Sequence, residues 1–214
     1  MTKIKDLIPP FNSERQVKSA ISATMWTDAN DFLHRTHIIL ENLEFSSFAY
    51  LSKIYIDILM AIESDLKCII IALSDKSETP EQAYTVARKC NHKIDFLYDE
   101  AKKRAFRRAK LLKQIDEREL LENAIKIKVD NRYRLITLMK LRKDGKFNID
   151  WGLGEYSQLL NYDYIIKLQK IALELHDVAD KISDKYLDKS AMLGTNLGKF
   201  DKRMEEFFKN VKIS

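Results

Sequence analysis

The sequence predicts an all-α fold, an up-and-down helical bundle, and three observations favour it. The chain of 214 residues contains only 5 Gly and 3 Pro, whereas average usage would give about 15 and about 11. Turns are therefore few and regular elements long. Hydrophobic residues make up 45% of the chain, which suffices for a buried core. Apolar residues recur at three- and four-residue steps, the spacing of one face of a helix.

Helical spacing begins at Ser13, and a second stretch extends from about Asp28 to Glu44. The strongest pattern lies between Phe45 and Leu73 and predicts a long helix. Its apolar residues follow one another at three- and four-residue steps: Phe48, Leu51, Tyr55, Ile58, Leu59, Ile62, Leu66, Ile69 and Leu73.

Residues typical of helix starts mark the elements that follow. Thr79 precedes Pro80 and stands three residues before Gln82, which predicts a capping box with proline at the first helical position. Asn91 is the expected cap of the next helix, which continues through a basic stretch to about Lys113.

The later part of the chain is less regular. Asp116 with Glu119 repeats the spacing of a capping box. For residues 130–160 the sequence predicts a loop-rich insertion that can include a short hairpin. The hairpin is considered because Asp144-Gly145 separates apolar segments. A long helix is expected from about Tyr162 to Leu187.

The helical bundle domain is predicted over residues 1–190, followed by a C-terminal amphipathic helix over 191–214. That last helix carries an aromatic stripe, which is typical of a core face, a dimer seam or a protein-binding surface. Its members are Phe200, Met204, Phe207 and Phe208.

Nothing in the sequence predicts a membrane protein or a secreted one. The longest apolar run, Cys68–Leu73, has six residues, far fewer than the roughly 20 that cross a bilayer. The first residues, Met1–Phe11, show no signal-peptide pattern, and the two cysteines, Cys68 and Cys90, do not form a disulfide framework. We therefore expect a cytoplasmic protein.

The net charge is +5, and the most prominent charge feature is a basic run with no acid between Ala101 and Ile115. Such a density of positive charge favours binding to the phosphate groups of RNA or DNA. A solvent-exposed helix face whose charge is balanced by acids on neighbouring helices is the commoner explanation of such a run. The candidate nucleic-acid-binding residues are Lys102, Lys103, Arg104, Arg107, Arg108, Lys110 and Lys113.

Histidines offer two further candidates. His34, His37 and Glu41 share one helical face, but a metal site needs ligands from a second helix, and the sequence supplies none, so no metal or cofactor is predicted. His176 stands between Glu174 and Asp177, which could tune its imidazole, although a half-buried structural histidine is the simpler interpretation.

Two segments resemble the HEPN superfamily, helical domains of prokaryotic defence and nucleotidyltransferase-associated systems. The first, Ala61-Ile62-Glu63-Ser64-Asp65-Leu66-Lys67-Cys68-Ile69-Ile70, places an acid before Leu-Lys at the end of a long helix. The second, Asn91-His92-Lys93-Ile94-Asp95-Phe96-Leu97-Tyr98, places a histidine before apolar residues at the start of the next. Asn131-Arg132-Tyr133 and the helix over 162–187 are similar to the later part of that bundle. The resemblance covers residues 45–187.

The resemblance implies a helical bundle, homodimers, and RNA cleavage or binding of RNA or nucleotide, often in toxin–antitoxin or antiviral systems. Nuclease members use an Arg and a His separated by four to six residues and brought together across a dimer. The nearest pair here, Arg88 and His92, has three residues between them, so catalysis by this pair is left open.

Three functions therefore remain in competition. The leading hypothesis is a module that binds RNA or nucleotide in a prokaryotic defence or stress system. The second is a metal-independent ribonuclease that uses Arg88 and His92, and the third is a bundle that only binds a protein partner.

Overall fold

The computed structural model describes residues 14–41, 48–106, 110–124, 139–141, 144–145, 147–149 and 162–187. Six α-helices lie in these ranges: α1 (Glu14–Glu41), α2 (Phe48–Ala72), α3 (Pro80–Lys89), α4 (Ile94–Ala105), α5 (Glu117–Ala124) and α6 (Tyr162–Tyr186). A 3-10 helix, Lys110–Gln114, lies between α4 and α5. The prediction of a helical bundle is confirmed.

The long helix α2 is the centre of the bundle. It packs against α1, α3, α4 and α6, and between Ile58 and Leu73 every residue except Met60 and Lys67 is buried. Each fully buried Ile or Leu side chain contributes about 1.5–3 kcal/mol to folding. Because neighbours cover it on several sides, α2 also carries acidic side chains into the interior.

Contacts between side chains fix the helix directions. Ser22 of α1 meets Cys68 of α2 and Ser183 of α6, while Lys18 donates to the carbonyl of Asp75 at 2.8 Å. Further along α1, Arg35 pairs with Asp57. Residues with higher numbers on α1 contact residues with lower numbers on α2, so these two helices are antiparallel.

Helix α6 runs in the same direction as α2. The Tyr55 and Tyr164 rings lie 6.3 Å apart between centroids, and Asp65 meets His176 farther along both helices. Between the end of α2 and the start of α6, the chain therefore returns to the end of the bundle at which α2 begins.

The cap of α3 agrees with the sequence analysis. The Gln82 backbone N–H donates to Thr79 Oγ1 at 3.3 Å, and the Thr79 N–H donates to Gln82 Oε1 at 2.8 Å. Likewise, the Glu119 N–H donates to the Asp116 carboxylate at 3.0 Å at the start of α5. These local patterns form as predicted because both partners lie within one helical turn.

Three expected boundaries were wrong. The stretches beginning at Ser13 and Asp28 form the single helix α1, since no Gly or Pro separates them. Asn91 does not cap α4. It has a positive φ of 54°, and the N-cap position is held by Lys93.

The third wrong boundary is the end of α4. The helix stops at Ala105 instead of continuing to about Lys113, and the chain resumes as the 3-10 helix. Ala101, Ala105 and Leu112 are buried on the inner side of this segment.

Two short strands lie inside the predicted insertion. Strands β1 (Met139–Leu141) and β2 (Phe147–Ile149) pair antiparallel, with Met139 opposite Ile149. Gly145 adopts a φ of 76°, a left-handed conformation that glycine accepts without steric cost. The predicted C-terminal helix over 191–214 lies outside the described residues.

Candidate functional site

The turn between α3 and α4 holds the two residues that the sequence analysis named as a catalytic pair. Arg88 lies exposed in the last turn of α3, and His92 follows the end of that helix. The Asn91 N–H donates to the Arg88 carbonyl at 3.0 Å. Arg88 and His92 therefore do not share one helix, because α3 ends at Lys89 and a tight turn follows.

His92 is instead held by an acid from the central helix. Its Nδ1 lies 2.8 Å from Glu63 Oε2, and the exposed fractions of the two side chains are 49% and 3%. Lys67, one turn farther along α2, pairs with the other oxygen of the same carboxylate. Glu63 thus reaches from the core to a histidine at the surface, with a lysine compensating its charge.

A carboxylate-held imidazole has definite chemistry. With Nδ1 bound to Glu63, the ring is fixed in orientation and Nε2 is the nitrogen that can meet a ligand. Such an arrangement allows proton transfer or a hydrogen bond to a phosphate oxygen. In the sequence, Glu63 and His92 belong to two separate segments of the HEPN resemblance, and no sequence pattern predicts the hydrogen bond between them.

The basic run is divided by the structure. Lys102 pairs with Glu117 at 2.5 Å, and Lys103 lies 3.7 Å from Glu100. Both pairs are at the surface, where salt bridges contribute little. These two lysines can exchange their partners for phosphate groups at small cost.

Arg104 is different, because its guanidinium lies inside a network. It donates to both oxygens of Glu78 at 2.8 Å and to Glu100 at 2.7 Å. Only 12% of its side chain is exposed. The Arg104 guanidinium lowers the pKa of Glu78 through the hydrogen bond and its charge, against a smaller effect of burial. Arg104 therefore joins the loop before α3 to α4 and is not available to a ligand.

The remaining candidate nucleic-acid-binding residues of the basic run fall into two groups. Lys110 and Lys113 are exposed on the 3-10 helix, which gives them the access that a phosphate ligand needs. Arg107 and Arg108 lie outside the described residues.

A cleft of about 390 Å³ lies beside Arg104. Its lining includes the carboxylates of Asp75, Glu78 and Glu100 and the cations Lys103 and Arg104. Acids and bases are thus mixed in this cleft, and Arg104 with Glu78 and Glu100 already satisfy one another. The cleft does not present the uniform positive charge that steers a polyanion.

A second buried acid lies on α2, facing α6. Asp65 Oδ1 is 2.9 Å from His176 Nδ1, and the exposed fractions are 0% and 14%. The His176 ring stacks on Trp26 of α1, with centroids 4.8 Å apart. Burial raises the pKa of Asp65 to about 6, while the hydrogen bond from His176 opposes that rise. The structure agrees that His176 is mainly buried, but its partner is Asp65 rather than the neighbouring Glu174 or Asp177.

The histidine cluster on α1 remains a surface feature. His37 Nε2 lies 3.0 Å from Glu41, both are largely exposed, and His34 is exposed as well. Within the described ranges, no group of three or more metal-ligating side chains converges. The same ranges contain no helix of the length and apolar character that a membrane span requires.

Comparisons with known proteins add nothing to this geometry. The chain matches no protein-family model, no curated protein and no solved structure.

Proposed function

We propose that this chain is a HEPN-like helical module that binds RNA through the turn between α3 and α4. The observation that carries the proposal is the hydrogen bond of 2.8 Å between His92 and the buried Glu63. It holds an exposed imidazole in one orientation beside a turn that also bears the exposed Arg88. Membership of a prokaryotic defence or stress system and homodimer formation are parts of the same proposal.

The chemistry of these side chains suits a phosphate. A guanidinium binds phosphate oxygens through parallel hydrogen bonds. The protonated imidazolium of His92, with its Nδ1–H on Glu63, can donate its Nε2–H to a further phosphate oxygen. Lys110 and Lys113 add exposed positive charge on the 3-10 helix. Arg104 is excluded from this role because Glu78 and Glu100 occupy its donors.

A salt titration of binding tests the proposal. Fluorescence anisotropy with a labelled single-stranded RNA gives the affinity between 50 and 200 mM salt, a range in which phosphate contacts weaken strongly. Replacing Lys110 and Lys113 by alanine should lower the slope of log K against log salt by about 1.4, because each contact contributes about 0.7 on single strands. Arg88→Ala should lower the affinity as well.

Matched variants separate specific contacts from loss of charge. Lys89→Ala removes an adjacent exposed cation of α3, and Lys102→Ala removes a lysine that pairs with Glu117. We expect Arg88→Ala to weaken binding at least tenfold more than Lys89→Ala. Equal effects of these two variants, or no binding of the parent chain at 50 mM salt, would overturn the proposal.

The Glu63–His92 hydrogen bond also favours a second candidate, a metal-independent ribonuclease. In that reaction, His92 removes the proton of the ribose 2′-hydroxyl, and the oxygen attacks the adjacent phosphate to form a 2′,3′-cyclic phosphate. The bond between phosphorus and the 5′-oxygen of the next nucleotide breaks, and that oxygen leaves as a 5′-hydroxyl after taking a proton from water. Arg88, from the same chain or from a partner in a dimer, stabilises the charge that develops on the phosphate. Glu63 keeps the imidazole oriented while it gains the proton.

End-labelled RNA incubated in the presence of a chelator tests this reaction. We expect His92→Ala to abolish cleavage and Glu63→Gln to reduce it and alter its pH profile. His34→Ala, which removes an exposed histidine of α1, is the control and should keep full activity. Residual cleavage at the same rate in the parent and in His92→Ala would remove His92 as the catalytic residue.

A further inference from the structure

The interior of the bundle contains an acid and a histidine that the proposed function does not use. Asp65 of α2 and His176 of α6 are joined by a hydrogen bond of 2.9 Å, and Trp26 of α1 stacks on the imidazole. The interplanar angle of the two rings is 17°. Three helices that form most of the core therefore meet at one titratable pair.

The polar atoms of this pair are incompletely satisfied. Within the described residues, Asp65 Oδ2 and His176 Nε2 are buried and have no hydrogen-bond partner. A buried carboxylate with one oxygen unpaired is costly when ionised, so the site favours bound protons. The Asp65 side chain is 0% exposed. Its preference for the protonated form is therefore a property of the buried site and not of a carboxylate at the surface.

We propose that Asp65 and His176 form an internal proton-binding pair whose protonation state changes the packing of α1, α2 and α6. When Asp65 is neutral, it fits the apolar core. When it ionises, its charge must be compensated by His176 alone among the side chains that hydrogen-bond to it. The gain or loss of one proton is thus transmitted to the contact between α2 and α6 and to the indole of α1.

The charged groups around the pair support this assignment. Burial has the largest effect on the pKa of Asp65 and raises it, the His176 hydrogen bond and charge lower it, and Asp180 of α6 raises it. From α1 the pair is faced by the neutral Trp26, while Asp28, two residues farther along α1, interacts with Asp31.

On α2 itself, the charges nearest in sequence to Asp65 are engaged elsewhere. Glu63 and Lys67 pair with each other, and Glu63 also binds His92. Among the residues that act on Asp65, His176 is thus the cation-forming group that can compensate its charge.

The direction of the pH dependence follows from the raised pKa. An acid whose pKa is higher in the folded chain contributes stability that is complete below its unfolded pKa of 3.8. That contribution is lost as the pH rises through about 6, because the unfolded chain then ionises more readily. Above this range Asp65 is ionised in both the folded and the unfolded chain, so it no longer makes the stability depend on pH.

Fluorescence of Trp26 reports the event directly. The chain has 2 tryptophans, so Trp151→Phe leaves Trp26 as the single indole, and a protonation step beside it should change its emission. We expect one transition between pH 4.5 and 8 with a midpoint near 6 in the folded protein. Asp65→Asn should abolish it, and Asp177→Asn, an exposed neighbour of His176 paired with Lys181, should keep it.

A second variant removes the hydrogen bond while keeping a ring against Trp26. His176→Phe should move the Asp65 midpoint to higher pH, because the group that favours the carboxylate is gone. Carboxyl-carbon NMR measures that midpoint, also in the parent chain without any core substitution. A flat Asp65 signal from pH 4.5 to 8, or a Trp26 transition that persists unchanged in Asp65→Asn, would overturn the proposal.

Discussion

Replacement of Arg104 by methionine should destabilise the protein more than the loss of any other basic residue that the structure describes in the run, namely Lys102, Lys103, Lys110 or Lys113. The guanidinium forms hydrogen bonds with Glu78 and Glu100 and lies 3.4 Å from the Ile70 carbonyl. Methionine has a similar length and fills the same space, so the change removes mainly the charge and the donors. Glu78 and Glu100 would lose the cation that they share, and only the exposed Lys103 would remain beside Glu100.

The size of the loss follows from burial. Removing one partner of a buried ion pair costs about 3–5 kcal/mol. Glu78 and Glu100 are 17% and 20% exposed, so water reaches them partly, and we expect the lower end, about 3 kcal/mol. Lys103→Met is the matched control, because that side chain is 80% exposed and should change stability by less than about 0.5 kcal/mol.

Urea unfolding followed by circular dichroism at 222 nm measures both variants. The difference should be largest near neutral pH. The pKa of Glu78 is lowered from 4.5 in the folded chain, so its contribution is present above pH 4.5 and is lost as the pH falls further. The reasoning would be refuted if Arg104→Met unfolded at the same urea concentration as Lys103→Met, or if it lost RNA binding while keeping its stability.

Three further substitutions test local features of the fold, each by the same urea measurement. Asn91→Gly should be neutral or stabilise slightly, because the positive φ of 54° suits glycine, whereas Asn91→Ala should cost about 1 kcal/mol. Thr79→Ala should cost about 1 kcal/mol by removing the cap of α3, and equal stability would mean that the capping box contributes nothing. For Asp65→Asn, the free energy of unfolding minus that of the parent should rise by about 2 kcal/mol from pH 4.5 to pH 7.5. This figure is calculated from a pKa change from 3.8 to about 6. A difference that does not vary with pH would contradict the raised pKa.

The helices and most of their caps could be predicted from the sequence, because the signals are local. The apolar repeat of Tyr162–Tyr186 and the Thr79 box depend on neighbours within a turn, and the backbone satisfies them in any compact arrangement. The errors at Asn91 and at the end of α4 arose where a turn competed with helix propensity. A basic, alanine-containing stretch favours helix by itself, but α4 ends at Ala105 and Lys110–Gln114 forms a 3-10 helix in which Leu112 is buried.

The candidate site was only half visible in the sequence. Arg88 and His92 were candidates because of the resemblance to the HEPN superfamily, and the basic run was a candidate because of its composition. Glu100, four residues before Arg104 on α4, is a local partner, but Glu63, which holds His92, and Glu78, which also holds Arg104, come from other parts of the chain. Nothing in the spacing of Glu78 or Glu63 indicated which cation each would meet.

By itself, then, the sequence determined that this chain is a bundle of long helices and where most of them begin. Only the tertiary structure decided that Glu63 meets His92 across 29 residues and that Asp65 meets His176 across 111. Helix formation is set by side chains within one turn, whereas the environment of a buried charge depends on which helices become neighbours. For this reason α2 carries two acids of similar sequence context, one facing a surface histidine and the other buried beside a histidine that stacks on a tryptophan.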